Sequence, residues 1–153
     1  MRVRKNWLVV LLATGCYSGF FPGVPGTAGS LMGVVLFLAL APLLFPLYCT
    51  TVIAFIFFAV WWAARAALIF QKKDPPQVVI DEIAGYLVAM AGITPSWGYI
   101  ITGFILFRIM DIVKPYPIRW IDQHVAGGYG IVLDDVLAGV YANIIMQILQ
   151  VLL

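Results

Sequence analysis

Five carboxylates stand in or beside apolar stretches of this 153-residue chain: Asp81, Glu82, Asp111, Asp134 and Asp135. A charge within a membrane-depth helix costs on the order of 2.5–3.5 kcal/mol at the centre and less near an end. Several at one depth repel one another unless something positive lies among them. Hard oxygen donors, with no cysteine or clustered histidine beside them, point to Mg2+, with Asp81, Glu82, Asp134 and Asp135 as the expected ligands. The helix dipole favours acidic residues in a first turn, which accounts for Asp81, Glu82 and Asp134 without any metal. It does not account for Asp111, which falls near the end of its apolar run. Pairing with Arg108 and Lys114, three residues to either side, is one explanation for Asp111; a role in the site is the favoured one. Arg108, Lys114 and Arg119 approach the same region. A divalent ion with guanidinium and ammonium groups suits a phosphate, whose oxygens gather charge during transfer. Residues 19–30, "GFFPGVPGTAGS", supply exposed backbone N–H groups around Gly26 and the hydroxyls of Thr27 and Ser30. A helix starting near Gly29 and Ser30 would turn its positive end toward the anion. No Lys-Ser/Thr pair follows these glycines, so this is not a Walker loop. The expected phosphate-binding set is Gly26, Thr27, Ser30, Arg108, Lys114 and Arg119. The expected catalytic set is Thr27, Asp81, Asp111 and Asp135. Three nucleophiles stay open: a water activated by the metal, Thr27, or an aspartate.

The elements that must position these groups are apolar. The chain is 63% hydrophobic and 10% charged, with a mean hydropathy of +1.03. Soluble domains carry roughly 25% charged residues, so the bilayer is the expected solvent. Apolar runs cover 31–47, 50–70, 78–93, 99–113 and 131–153. They predict an all-α integral membrane protein with about five transmembrane helices. The run 7–17 is too short to cross ~30 Å at 1.5 Å per residue. It reads as a short interfacial or re-entrant helix, capped by Asn6 and retained rather than cleaved as a signal. Cys16 and Cys49 read as core residues without a disulfide, and His124 as a solvated loop histidine. Neither a nucleic-acid partner nor an oligomeric state is indicated.

With five crossings, residues 19–30, 71–77 and 114–130 share one side. All nine lysines and arginines lie on or towards it, as the positive-inside rule requires of a cytoplasmic face. All seven acidic residues lie there too, which orientation does not explain. Two local patterns echo each other: "DEIAG" sets Gly85 four residues after Asp81, and "DDVLAG" sets Gly139 four after Asp135. Small residues one turn from the carboxylates let two helices come close, with Ala89, Ala142 and Asn143 continuing the stripes.

The blocks "GFFPGVPGTAGSL", "VVIDEIAGYLVAM" and "FRIMDIVKPYPIRWIDQHVAGGYGIVLDDVLAGV" resemble phosphatidylglycerophosphatase A, over about residues 15–143. The resemblance implies a single membrane-embedded phosphatase domain, 1–153, in the bacterial inner membrane. It implies Mg2+-dependent hydrolysis of phosphatidylglycerophosphate to phosphatidylglycerol and inorganic phosphate. The family's functional positions map onto Asp81, Glu82, Arg108, Asp111, Lys114, Asp134 and Asp135, and onto the loop 23–30. Two other classes fit the residues less well. An ion or proton transporter would spread its carboxylates along a path, yet the far side has none. A CDP-alcohol transferase would carry a D-x-x-D-G arrangement, which is missing.

Overall fold

The computed structural model describes residues 6–152. The basic residues Arg2, Arg4 and Lys5 lie outside them. The elements are α1 (Trp7–Ala13), a 3-10 turn (Ser18–Phe20), α2 (Pro25–Leu40), α3 (Phe45–Phe70), α4 (Ile80–Ala89), α5 (Trp97–Val113), α6 (Ile118–His124) and α7 (Gly127–Leu152). The described residues form no strand.

α3 and α7, at 26 residues each, are the two helices long and apolar enough to cross a membrane. At ~1.5 Å per residue each reaches ~39 Å. The expected five crossings are not matched by five such helices. α2, α4 and α5 have 16, 10 and 17 residues and fall short of the ~20 that a crossing needs. Prolines set the first difference. The run 31–47 divides at Pro42, and Pro46 opens α3 in its first turn, where a missing N–H does no harm. Pro25 likewise starts α2 earlier than residues 29–30, so Gly26 and Thr27 belong to its first turn rather than to a loop.

α4 is short and enclosed. Helices α2, α3, α5 and α7 all pack on it, and eight of its ten residues are buried. Tyr86, fully buried, meets Phe37, Phe104 and Phe107 at ring separations of 6.3–6.4 Å. Its hydroxyl donates to the Ile100 carbonyl at 3.1 Å, and that of Tyr48 donates to Leu87 at 2.7 Å. The glycine pairs work as their spacing suggests. A Cβ on Gly85 would meet the carbonyl of Asp135 at 2.6 Å, and one on Gly139 would collide with the carbonyl of Gly85. α4 and α7 therefore touch backbone to backbone.

The chain ends of α4 need partners, because backbone groups shielded from water must bond internally. Before it, Val79 N–H donates to the Ala13 carbonyl of α1 at 2.9 Å. After it, three amides spaced along α7 take over. Asn143 donates to the carbonyls of Ala89 and Ala91 at 2.9 and 2.8 Å. Gln147 donates to Ala91 and Gln150 to Gly92, while Gln150 accepts from Thr94 N–H. Asn143 thus continues the small stripe of α7 as a cap donor, and Ala142 as its packing residue.

At the N-terminus, α1 buries Val9, Val10 and Ala13 and packs on α3. Asn6 sits at its cap position without a side-chain capping bond. The chain then reverses through Cys16 and Tyr17, both left-handed. That turn leaves Cys16 exposed, not in the core; Cys49 is half-buried, and neither is in a disulfide.

Two measurements test this packing. Asn143→Ala removes the side-chain donor of the Ala89 carbonyl and one of the two on Ala91, and should destabilise the protein by about 1–3 kcal/mol, read as a lower melting temperature in detergent. Gly139→Val should force α4 and α7 apart, lowering the melting temperature through about 1–3 kcal/mol of overpacking. An unchanged melting temperature in either variant would show that the contact does not hold the helices.

Candidate active site

Helix starts and ends from four elements meet at one end of the bundle, around a cavity of about 400 Å³. The first turn of α2 brings Gly26 and Thr27 to its wall. The first turn of α4 brings Asp81 and Glu82, the last turn of α5 brings Arg108 and Asp111, and α7 brings Asp134 and Asp135. Lys114, which ends α5, borders it as well.

The carboxylates divide into two kinds. Asp111 takes Arg108 at 2.6 Å, the pairing its spacing suggested. Asp134 takes Lys114 at 2.6 Å, and Lys114 also reaches Asp122 at 3.1 Å. Asp81, Glu82 and Asp135 have no ion pair among the described residues. One oxygen from each lies within 4.8 Å of the others. Asp81 Oδ1, Glu82 Oε2 and Asp135 Oδ2 are buried without a hydrogen-bond partner, and so is Asp134 Oδ1. Buried carboxylate oxygens this close together and without a hydrogen-bond partner fit a bound cation. Asp81, Glu82 and Asp135 can hold a metal ion. Asp134, expected beside them as a ligand, is turned aside by about 100°, the step between neighbouring helix residues. That turn delivers it to Lys114.

Above the triad, α2 presents its N-terminus. Its cap residue Val24 offers no side-chain acceptor, and Pro25 has no N–H. The N–H groups of Gly26 and Thr27 are therefore left for an anion. Gly26 permits a close approach. A Cβ there would meet Glu82 Oε1 at 2.6 Å and the Arg108 guanidinium at 3.0 Å. The half-buried Thr27 makes no side-chain hydrogen bond to a described residue.

Two expected phosphate ligands are not brought in. Ser30 is fully buried one turn further along α2, and its hydroxyl donates back to the Gly26 carbonyl at 2.9 Å. The early start of α2 leaves it one turn beyond the cavity wall, on the same helix face as Gly26. Arg119 lies on α6, a short helix within a segment read as a polar loop, and borders a separate cavity. His124 is exposed, stacked on Trp120 at 4.9 Å, and takes no part. One residue was missed: Asp74 borders the carboxylate cavity. Its signal was the pair Pro75 and Pro76, which stiffens what otherwise reads as a connector. Burial raises the Asp74 carboxyl above its usual range, against the pull of Lys114. Burial works against the charge of Lys114, but Asp134 and Asp122 outweigh it and hold the ammonium above its usual range.

Comparison with known proteins bears on what this arrangement does. The family model for phosphatidylglycerophosphatase A matches residues 11–150. A protein of Bacteroides thetaiotaomicron, provisionally named a phosphatidylinositol-3-phosphatase, is 39% identical over 95% of both chains. Phosphatidylglycerophosphatase A of Escherichia coli is 40% identical, covering 85% of this chain and 76% of its own. That of Haemophilus influenzae is 38% identical, covering 92% and 87%. No solved structure matches the chain. The matched region contains every residue of the carboxylate cavity, and the chain belongs to the phosphatidylglycerophosphatase A family.

Proposed function

We propose that this chain is a Mg2+-dependent phosphatase that hydrolyses phosphatidylglycerophosphate to phosphatidylglycerol and inorganic phosphate. The carrying observation is the triad of unpartnered carboxylates facing Arg108 and the open N-terminus of α2 across one cavity. The names of the related proteins agree on a lipid phosphate as substrate.

The proposed setting is the bacterial inner membrane, with residues 1–153 as one multi-pass domain and the cavity at the cytoplasmic headgroup level. Rows of exposed apolar side chains support it, such as Ile101, Ile105 and Ile109 on α5 and Ile53, Phe57 and Trp61 on α3. A bilayer covers such rows at no cost. In this reading α2, α4 and α5 join α3 and α7 at membrane depth, giving about five helices in the bilayer. α4 is shielded by protein on all sides. The ionisable end faces the basic, cytoplasmic side.

Asp81, Glu82 and Asp135 would hold Mg2+, an ion suited to all-oxygen ligands shared with a phosphate. When bound, it supplies charge neutralisation at the phosphate oxygens and a more acidic water. The chain's own groups do the remainder. Gly26 and Thr27 N–H groups and the Thr27 hydroxyl orient the phosphate at the positive end of α2. Arg108, held by Asp111, places a guanidinium on the oxygens that gather charge. Lys114, fixed by Asp134 and Asp122, contributes a second positive charge. Asp135 or Asp81 accepts the proton of the attacking water. Thr27 binds rather than attacks, since among the described residues no base hydrogen-bonds its hydroxyl.

Asp81→Asn and Asp135→Asn should each cut phosphate release by at least about a hundredfold, on the scale of removing one electrostatic element of a site. Their metal-free melting temperatures should hold or rise, because one member of a repelling set is neutralised. Near-normal Mg2+-dependent turnover in either would remove that residue from the metal site. A chelator should abolish release from the parent protein, and added Mg2+ should restore it. Thr27→Ala should slow turnover by about tenfold, the worth of one hydrogen bond to a charged group. Substrate labelled in its terminal phosphate should leave no label on the protein; a labelled Thr27 would make it the nucleophile.

A further inference from the structure

Lys114 separates the carboxylate cavity from a second one of about 540 Å³, bordered by Tyr116, Arg119, Trp120 and Gln123. The cations around the first cavity are committed. Arg108 holds Asp111, and Lys114 holds Asp134 and Asp122. Lys73 donates to the Asp122 carbonyl at 3.4 Å. Arg119 is exposed and has no ion pair among the described residues. A guanidinium without a carboxylate, beside a cavity and one lysine away from a phosphate site, is placed for a second anion. Tyr116 and Trp120 are 82% and 51% exposed, as amphipathic rings at headgroup level would be.

We propose that Arg119 and this second cavity bind the diester phosphate of the lipid substrate. The inference rests on the activity proposed above. That substrate carries two phosphates, a terminal monoester and a diester, bridged by glycerol. With the monoester held by Gly26, Thr27 and Arg108, the bridge passes Lys114, which borders both cavities, and the diester comes to Arg119. A lipid with a single phosphate reaches only the first cavity. Arg119 is thus a specificity residue that contributes to ground-state binding and not to the bond that breaks. The same diester chemistry is present in anionic lipids of the surrounding bilayer, so the source has to be separated by experiment.

The test compares the parent protein with Arg119→Gln and Arg119→Lys in micelles of neutral phosphatidylcholine, using phosphatidylglycerophosphate as substrate and phosphatidic acid as competitor. Arg119→Gln should raise KM about fivefold, the scale of one partly screened ion pair, and leave kcat within about twofold. Arg119→Lys should recover part of the loss. The inhibition constant of phosphatidic acid should not change. An unchanged KM, or an equal shift for substrate and competitor, would overturn the proposal. So would a defect that shows only when anionic lipid is added to the micelles, which would assign Arg119 to the bulk membrane. If the parent protein itself releases no phosphate, the proposed activity fails. If it does and Arg119→Gln behaves like it, the diester subsite alone fails.

Discussion

Three carboxylates, Asp81, Glu82 and Asp135, are gathered within 4.8 Å, and none of them forms an ion pair among the described residues. Left alone, this arrangement opposes the fold, since each buried charge is costly and like charges raise the cost. The rest of the molecule is arranged so that it persists. α4 and α7 carry the three groups, and they are brought to backbone contact by Gly85 and Gly139. Without that contact the carboxylates of the two helices would stand too far apart to share an ion.

The contact imposes demands of its own. A helix as short as α4, enclosed by four others, ends among neighbours and not in water. The carbonyl of its last residue, Ala89, takes Asn143, and those of Ala91 and Gly92 just beyond it take Gln147 and Gln150 of α7. One helix thus supplies a member of the carboxylate triad towards one end and the caps for its partner towards the other. That division explains why α7 carries polar residues at both extremes and small or apolar ones between.

Charge is partitioned as carefully as shape. Asp111 and Asp134 neutralise Arg108 and Lys114, which fixes two cations at the rim. The triad is left unpaired. Two carboxylates are thus spent on cations of the chain itself, and three are left able to hold an added one. The split between neighbours Asp134 and Asp135 is made by helix geometry alone, one facing Lys114 and the other Asp81 and Glu82.

Much of this was legible in the residues. Apolar composition, acidic residues beside apolar runs, and the glycine spacing announced a helical assembly with a polar end, because each is a local property. The pairing of Arg108 with Asp111 was also readable, since both lie on one helix three residues apart. Helix extents were less so: Pro42 and Pro25 moved boundaries that hydropathy alone placed elsewhere, and with them the place of Ser30 along α2. The enclosure of α4 could not be read, because it depends on neighbours that shield its ends. Nor could the choice of Asp135 over Asp134 as third member of the triad, the capture of Asp74, or the separation of Arg119 into its own cavity. The sequence by itself determined which charges exist and that they share one end of the bundle. Only the tertiary structure decided which of them meet, because a direction around a helix has meaning only once another helix is packed against it.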